Sequence, residues 1–122
     1  MKGGLGSRWL YHVVLRDDWA RQPADAAYWP EGARAEGFIH ASYRDRVLES
    51  ARLYFPTDLE KLIVRIDPRS LLGVLVEVTT PRGPMPHIHG PVPRLAIVET
   101  YVGEDLAALE RATVQAPDEI LD

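Results

Sequence analysis

Glu36-Gly37-Phe38-Ile39-His40-Ala41-Ser42 reads as a short strand running into a helix, and that junction sets the class of the chain. Ser42 stands where a helix N-cap belongs, with Asp45 three residues on as a shortened capping box. Beyond it, Val47, Leu48, Ala51, Tyr54 and Phe55 fall at i, i+1, i+4, i+7 and i+8, one apolar stripe that Pro56 closes. A histidine two residues before such a cap lies beside free backbone N–H groups and the positive end of the helix dipole. His40 is therefore expected close to a bound phosphate or a polarised sugar hydroxyl.

Upstream, Arg8 to Leu15 predicts a strand that is largely apolar on both faces, because Trp9, Tyr11, Val13 and Leu15 alternate with Leu10, His12 and Val14. His12 then points into a strand-lined interior or cleft. Arg16 to Arg21 predicts a short helix limited by Pro23. The loop through Tyr28-Trp29-Pro30-Glu31-Gly32 carries an aromatic pair that reads either as a packing plug or as a cover over a planar ring.

Downstream, Lys61 to Asp67 and Val74 to Thr79 predict strands. In the second, Glu77 shares a face with Leu75 and Thr79, either wetted by solvent or serving a site. Thr80 to Pro93 holds five prolines and two glycines and is expected to be an ordered, irregular loop. Ala96 to Val102 predicts the last strand and Glu104 to Ala112 a closing helix. The elements mix into one α+β domain spanning 1–122, with a core of about 8–112; residues 1–7 and the acidic segment 113–122 are expected at its periphery.

The formal net charge of −4 argues against a partner held by its duplex phosphates. Twelve of the fourteen basic residues are arginine, which leaves room for a local anion pocket; the plainer reading makes Arg44, Arg46 and Arg52 a solvated helix face. The chain has no cysteine, so disulfides, thiolate metal sites and cysteine nucleophiles are excluded. The first seven residues lack the apolar run of a signal or a membrane span. A cytoplasmic protein with no membrane partner is expected, and the sequence assigns no oligomeric state.

All four histidines lie in three short segments, around His12, around His40, and in Pro86-His87-Ile88-His89-Gly90-Pro91. Imidazole donates, accepts or ligates near neutral pH. A metal site would use His87-x-His89 and a third histidine, but the proline-rich setting breaks strand alternation, and no metal is expected.

Tyr11-His12, Trp19, Glu36 to Ser42, Ile66-Asp67-Pro68, Glu77, Pro86-His87-Ile88 and Gly90-Pro91 together resemble the small bacterial domain-of-unknown-function family 952, across about residues 9–102. That resemblance implies an ADP-ribosyltransferase-like fold, a split, mostly antiparallel α+β structure that grips NAD in its cleft. Leu10-Tyr11-His12 resembles the first-strand Tyr-His of the diphtheria-toxin and poly-ADP-ribose polymerase branch, whose histidine binds a ribose hydroxyl of NAD. Phe38 to Ser42 is similar to the His-Val-His-Leu-Ser stretch of RNA 2′-phosphotransferases.

These likenesses imply NAD as cofactor, held by Tyr11, His12, His40 and Ser42. They imply a transferase in which His12 binds ribose, His40 takes phosphate, Glu77 or Glu99 steadies the developing cation, and His87 serves as acid, base or acceptor contact. The chain departs from both enzyme branches at Val13 and Val14, where they carry Gly and then Thr or Ser. His89 stands where relatives typically have Tyr and ranks below His87. The rival reading is a module that binds a small-molecule nucleotide, a modified RNA end or a protein tail without turnover. A third is a partner role with Tyr28 and Trp29 as contact surface.

Overall fold

The computed structural model describes residues 6–121; of the segments expected at the periphery, residues 1–5 and Asp122 lie outside the described residues. Strand β1 (Leu10–Leu15) pairs antiparallel with β3 (Lys61–Ile66), and β3 pairs antiparallel with β6 (Ile97–Gly103). The second sheet takes β2 (Ile39–His40), β4 (Val74–Thr80) and β5 (Gly83–His89) in the order β2-β5-β4, again antiparallel. Helices α1 (Arg16–Ala20), α2 (Glu31–Glu36), α3 (Val47–Tyr54) and α4 (Leu106–Thr113) complete the α+β domain. The sheets are tied where Tyr11 and Ser42 exchange backbone hydrogen bonds of 2.8 and 2.7 Å.

Apolar residues on both faces of β1 and β3 have a direct cause, for each strand separates two core clusters. Leu10, Val14, Leu62, Val64 and Ile66 join Ile39, Ile88, Val92 and Tyr28 on one side. Tyr11, Val13 and Ile63 join Val47, Ala51, Tyr101 and Leu109 on the other. Tyr28 is 1% exposed and exchanges backbone hydrogen bonds with Val92. It plugs the core rather than covering a ring.

The expected irregular loop at 80–93 contains β5, the central strand of its sheet. Proline lacks the ladder donor, which is why the segment reads as a loop from sequence. The Pro86 carbonyl accepts from Ala41 N–H on the β2 side. The nitrogens of Pro84 and Pro86, on alternate residues, therefore face that side, where β2 contributes two residues, and the β4 ladder loses nothing.

Helix α3 begins at Val47, not at Ser42. Ser42 is extended because it pairs with Tyr11, residues 44–46 form a turn, and Arg46 occupies the N-cap without a side-chain cap. Asp45 pairs with Arg8 at 3.2 Å instead of closing a capping box. Helix α2 arises within the expected loop and strand start; Pro30 precedes it, and Gly37, at φ 93°, ends it in the left-handed conformation that glycine adopts without a Cβ penalty. The segment after α4 is anchored: Trp9 N–H donates to Asp118 (2.9 Å), Ile120 N–H to Ser7 (3.0 Å), and the Tyr11 hydroxyl to the Pro117 carbonyl.

Gly73 lies against the His89 backbone, so an added Cβ would strike the His89 carbonyl. Gly73→Ala is expected to cost roughly 1–3 kcal/mol, as overpacked positions do. Urea unfolding reads it, and an unchanged midpoint would mean the strand ends separate freely.

Candidate functional site

A cleft of about 700 Å³ opens between α3 and the β4–β5 hairpin, within the range of roughly 300–1,000 Å³ usual for small-ligand sites. Tyr11 and Val13 of β1 and Ala41 form its apolar floor, Tyr54 of α3 and Phe55 just after it one wall, and Met85 of β5 the other. Its polar groups are His40, His87, Ser42, Ser50, Thr80 and Arg82. Among the described residues, none of the helices is long and apolar enough to cross a membrane.

Strand register brings the histidines together. His40 lies opposite His87, and His87 and His89 lie opposite Val76 and Val74, so the three imidazoles share one face of the second sheet. Phe38 is the hub: its ring stacks on His87 at 4.1 Å and 13°, and meets His40 at 4.7 Å and His89 at 5.4 Å. His40 and His87 stand edge to face at 5.2 Å. The Nε2 of His40 lies 3.1 Å from a Glu36 carboxylate oxygen, a partly exposed pair that orients the ring more than it stabilises the fold. Burial, and then the nearby His40 and His89, hold the His87 pKa below the usual imidazole value. His87 is therefore neutral at pH 7, with one nitrogen to donate and one to accept.

His12 belongs elsewhere. Its Nδ1 lies 2.7 Å from the His40 carbonyl, which only accepts, so Nδ1 carries the proton; its Nε2 then accepts from the Tyr28 hydroxyl at 2.8 Å. Burial lowers its pKa to about 4. The ring shares the strand face of Leu10 and Val14, as the alternation predicted, and lies half-buried under β2 outside the cleft lining, with both nitrogens engaged.

Glu77 lies opposite Pro86, on the face away from His87, and accepts from the Tyr43 hydroxyl at 2.6 Å. Burial, then that carboxylate, pushes the Tyr43 hydroxyl pKa up. Glu99 pairs with Arg65 at 3.1 Å on the first sheet. The carboxylate that does stand with the histidines is Glu36, brought round by the turn at Gly37, a placement that no local pattern announces. Tyr11 keeps its ring at the cleft floor, and burial pushes its hydroxyl pKa up. Ser42 lies within hydrogen-bond distance of Ser50, at 2.9 Å between their Oγ atoms.

Arg82 and Ser50 also escaped the sequence reading, and Tyr54, read there as part of the apolar stripe, lines the cleft. Arg82, at the hairpin tip, donates from Nε to Glu49 at 2.7 Å and from a terminal nitrogen to Ser50 at 2.9 Å. Glu49 and Ser50 are 33 and 32 positions away in sequence, beyond the reach of any motif.

Of the residues that the resemblance assigns to NAD, Tyr11, His40 and Ser42 line the cleft and His12 does not. Both nitrogens of His12 are taken by protein groups, and the Val13 side chain lines the cleft where those enzymes have glycine. Among the described residues, no group of three or more His, Asp or Glu is placed to hold a metal ion.

The family model described as "Protein of unknown function (DUF952)" matches residues 13–100. The solved structure of protein CC0527 from Caulobacter crescentus is similar at 20% identity with a TM-score of 0.67, covering 77% of this chain and 84% of that one. A double mutant of the same protein gives 19% identity over the same shares with the same TM-score. At that identity the likeness shows the fold. No curated protein matches the chain.

Proposed function

The chain belongs to the DUF952 family, and we propose that it is a binding module that holds a nucleotide or ADP-ribose-type small molecule in the cleft between α3 and the β4–β5 hairpin. One observation carries this reading: His40 and His87 converge on an apolar cleft, while His12 and Glu77 are engaged elsewhere. The apolar walls suit a planar ring, and the two imidazoles suit ribose hydroxyls or phosphate oxygens. The ADP-ribosyltransferase-like architecture is part of the proposal, supported by two antiparallel sheets tied at Tyr11 and Ser42.

The test is titration of the protein with ADP-ribose, NAD, nicotinamide and 2′-phosphorylated RNA, followed by thermal shift and NMR. Saturable binding is expected, with His40→Ala and His87→Ala each weakening it about tenfold, as loss of one hydrogen-bonding partner does. Silence from all four ligands would overturn the proposal.

One feature favours a transferase instead. A carboxylate-oriented imidazole, His40 with Glu36, stands beside a neutral one, His87, and such a pair can divide the work of base and acid. Release of nicotinamide from NAD, abolished by His87→Ala, would establish that reading over the binding module.

A further inference from the structure

The second end of the cleft carries polar groups whose hydrogen bonds do not close. Ser42 and Ser50 are 4% and 6% exposed, and their hydroxyls bond to each other. Two hydroxyls own two protons. One is spent between them, and the other has no acceptor among the described residues. A terminal nitrogen of Arg82 donates to the Ser50 oxygen, which keeps one further lone pair for Ser42.

Arg82 shows the same surplus. A guanidinium has five N–H groups. Glu49, Ser50, Tyr54 and the Arg46 carbonyl take four of them, the last two at 3.3 and 3.5 Å. The Tyr54 hydroxyl accepts from Arg82 and keeps its own proton to give. Donors thus outnumber acceptors at this end of the cleft.

Charge runs the same way. The bond from Arg82, with the charges of Arg46 and Arg52 nearby, holds the Glu49 carboxyl below the usual range. Arg82 is the one arginine in the cleft lining; Arg46, paired with Glu49 at 3.6 Å, and Arg52 stand around the same carboxylate, so positive charge exceeds negative beside it in a chain of net charge −4.

We infer that the hairpin end of the cleft is an oxyanion subsite, where Arg82 and the Ser42–Ser50 hydroxyl pair receive a phosphate or carboxylate group of the ligand. The inference rests on the cleft being the ligand site proposed above. A tetrahedral phosphoryl group meets donors converging from several directions better than a planar carboxylate does. Met85 stands between the two ends. From His87 to Gly83 the strand rises roughly 13 Å at 3.3 Å per residue, a span suited to a ligand that carries its anion at one end and its ring and hydroxyls at the other. Glu49 is then an internal stand-in for the ligand anion and competes with it for Arg82.

Isotope-labelled protein is titrated with adenosine, AMP, inorganic phosphate and acetate, and NMR follows the Arg82 Nε–H signal, the Ser42 and Ser50 amides, and the His40 and His87 ring signals. AMP is expected to bind about ten- to a hundredfold more tightly than adenosine, the usual worth of a charge-assisted hydrogen bond. Arg82→Gln removes that advantage. Glu49→Gln, which removes the competing charge, raises the affinity for AMP and for phosphate severalfold, a gain that a purely structural role for Arg82 would not produce. Acetate matching phosphate would assign the subsite to oxyanions of either kind; phosphate alone shifting the Arg82 signal would assign it to phosphates.

Equal binding of AMP and adenosine, with shifts only at His40 and His87, would overturn the subsite and leave the binding module standing. Phosphate moving the Arg82 signal while no nucleoside or nucleotide moves the histidines would keep the subsite and remove the nucleotide reading. No shift with any of the four overturns both. If Arg82→Gln fails to fold, Glu49→Gln and Ser42→Ala decide: unchanged phosphate affinity in both overturns the inference.

Discussion

Lowering the pH from 7 to 4 is expected to remove about 3 kcal/mol of folding stability through His12 alone. The folded imidazole has its pKa lowered to about 4 by burial, whereas the unfolded chain titrates near its ordinary value of about 6.5. Between those values the unfolded state binds more protons than the folded one, so stability rises with pH across that window. The contribution is complete above about pH 6.5 and is lost as pH falls toward 4.

The structural cost of charging His12 is visible in its partners. Nδ1–H already donates to the His40 carbonyl, and a proton on Nε2 would turn the Tyr28 hydroxyl from donor to acceptor. Tyr28 is itself buried, with its hydroxyl pKa raised by that burial, and offers no negative charge in compensation. His87, whose pKa is also lowered, adds a smaller slope of the same sign just below neutrality. Urea unfolding at several pH values separates the two: His12→Gln should flatten most of the slope between pH 6.5 and 4, and His87→Gln little of it. A slope unchanged in His12→Gln would show that the ring is not neutral and enclosed in the native state.

Ile88→Ala is expected to cost about 3–4 kcal/mol, in the upper part of the range for truncating a fully buried aliphatic side chain. Ile88 is 0% exposed on the central strand β5, opposite Ile39 on one side and Leu75 on the other, within the cluster that holds Tyr28 and Val92. Such a loss is a large share of the ~5–15 kcal/mol that a small domain holds in total. Because His87 and His89 project from the opposite face of the same strand, the substitution should also broaden their NMR signals and weaken ligand binding. A cost under about 1 kcal/mol would mean that β5 is not packed against β2 and β4 as described.

Local chemistry carried part of the architecture into the sequence. The two-sided apolar alternation of Leu10–Leu15, the run Leu62-Ile63-Val64 and the spacing of Val47 and Ala51 each state their element, because burial leaves a periodic mark, although Tyr54 at the end of the stripe is 65% exposed. The closing helix expected over Glu104 to Ala112 is α4, and the structure shows Asp105 as its cap, accepting from Ala108 N–H at 2.8 Å. Other marks misled. Ser42 looks like an N-cap, yet its backbone is claimed by Tyr11, thirty-one positions away. Proline at 84 and 86 looks like the end of any strand, yet the side that lacks donors faces the short strand β2.

The candidate site divides the same way. That the histidines fall in three motifs was legible in the sequence, which favoured His12 with His40; that His40 and His87 are the two lining the cleft is a finding of the structure. So is their separation from His12 and Glu77. Once β5 is a strand, the spacing of His87 and His89 puts both rings on one face, and the β2–β5 register sets His40 beside them. By itself the sequence determined one α+β domain with two-sided strands and the residue types able to do chemistry. Tertiary structure alone decided which imidazoles meet, which carboxylate joins them, and that Arg82 crosses to Glu49 and Ser50. Periodicity reports the faces of single elements over a few residues, whereas a cleft is made by hydrogen-bond register and contacts between positions far apart along the chain.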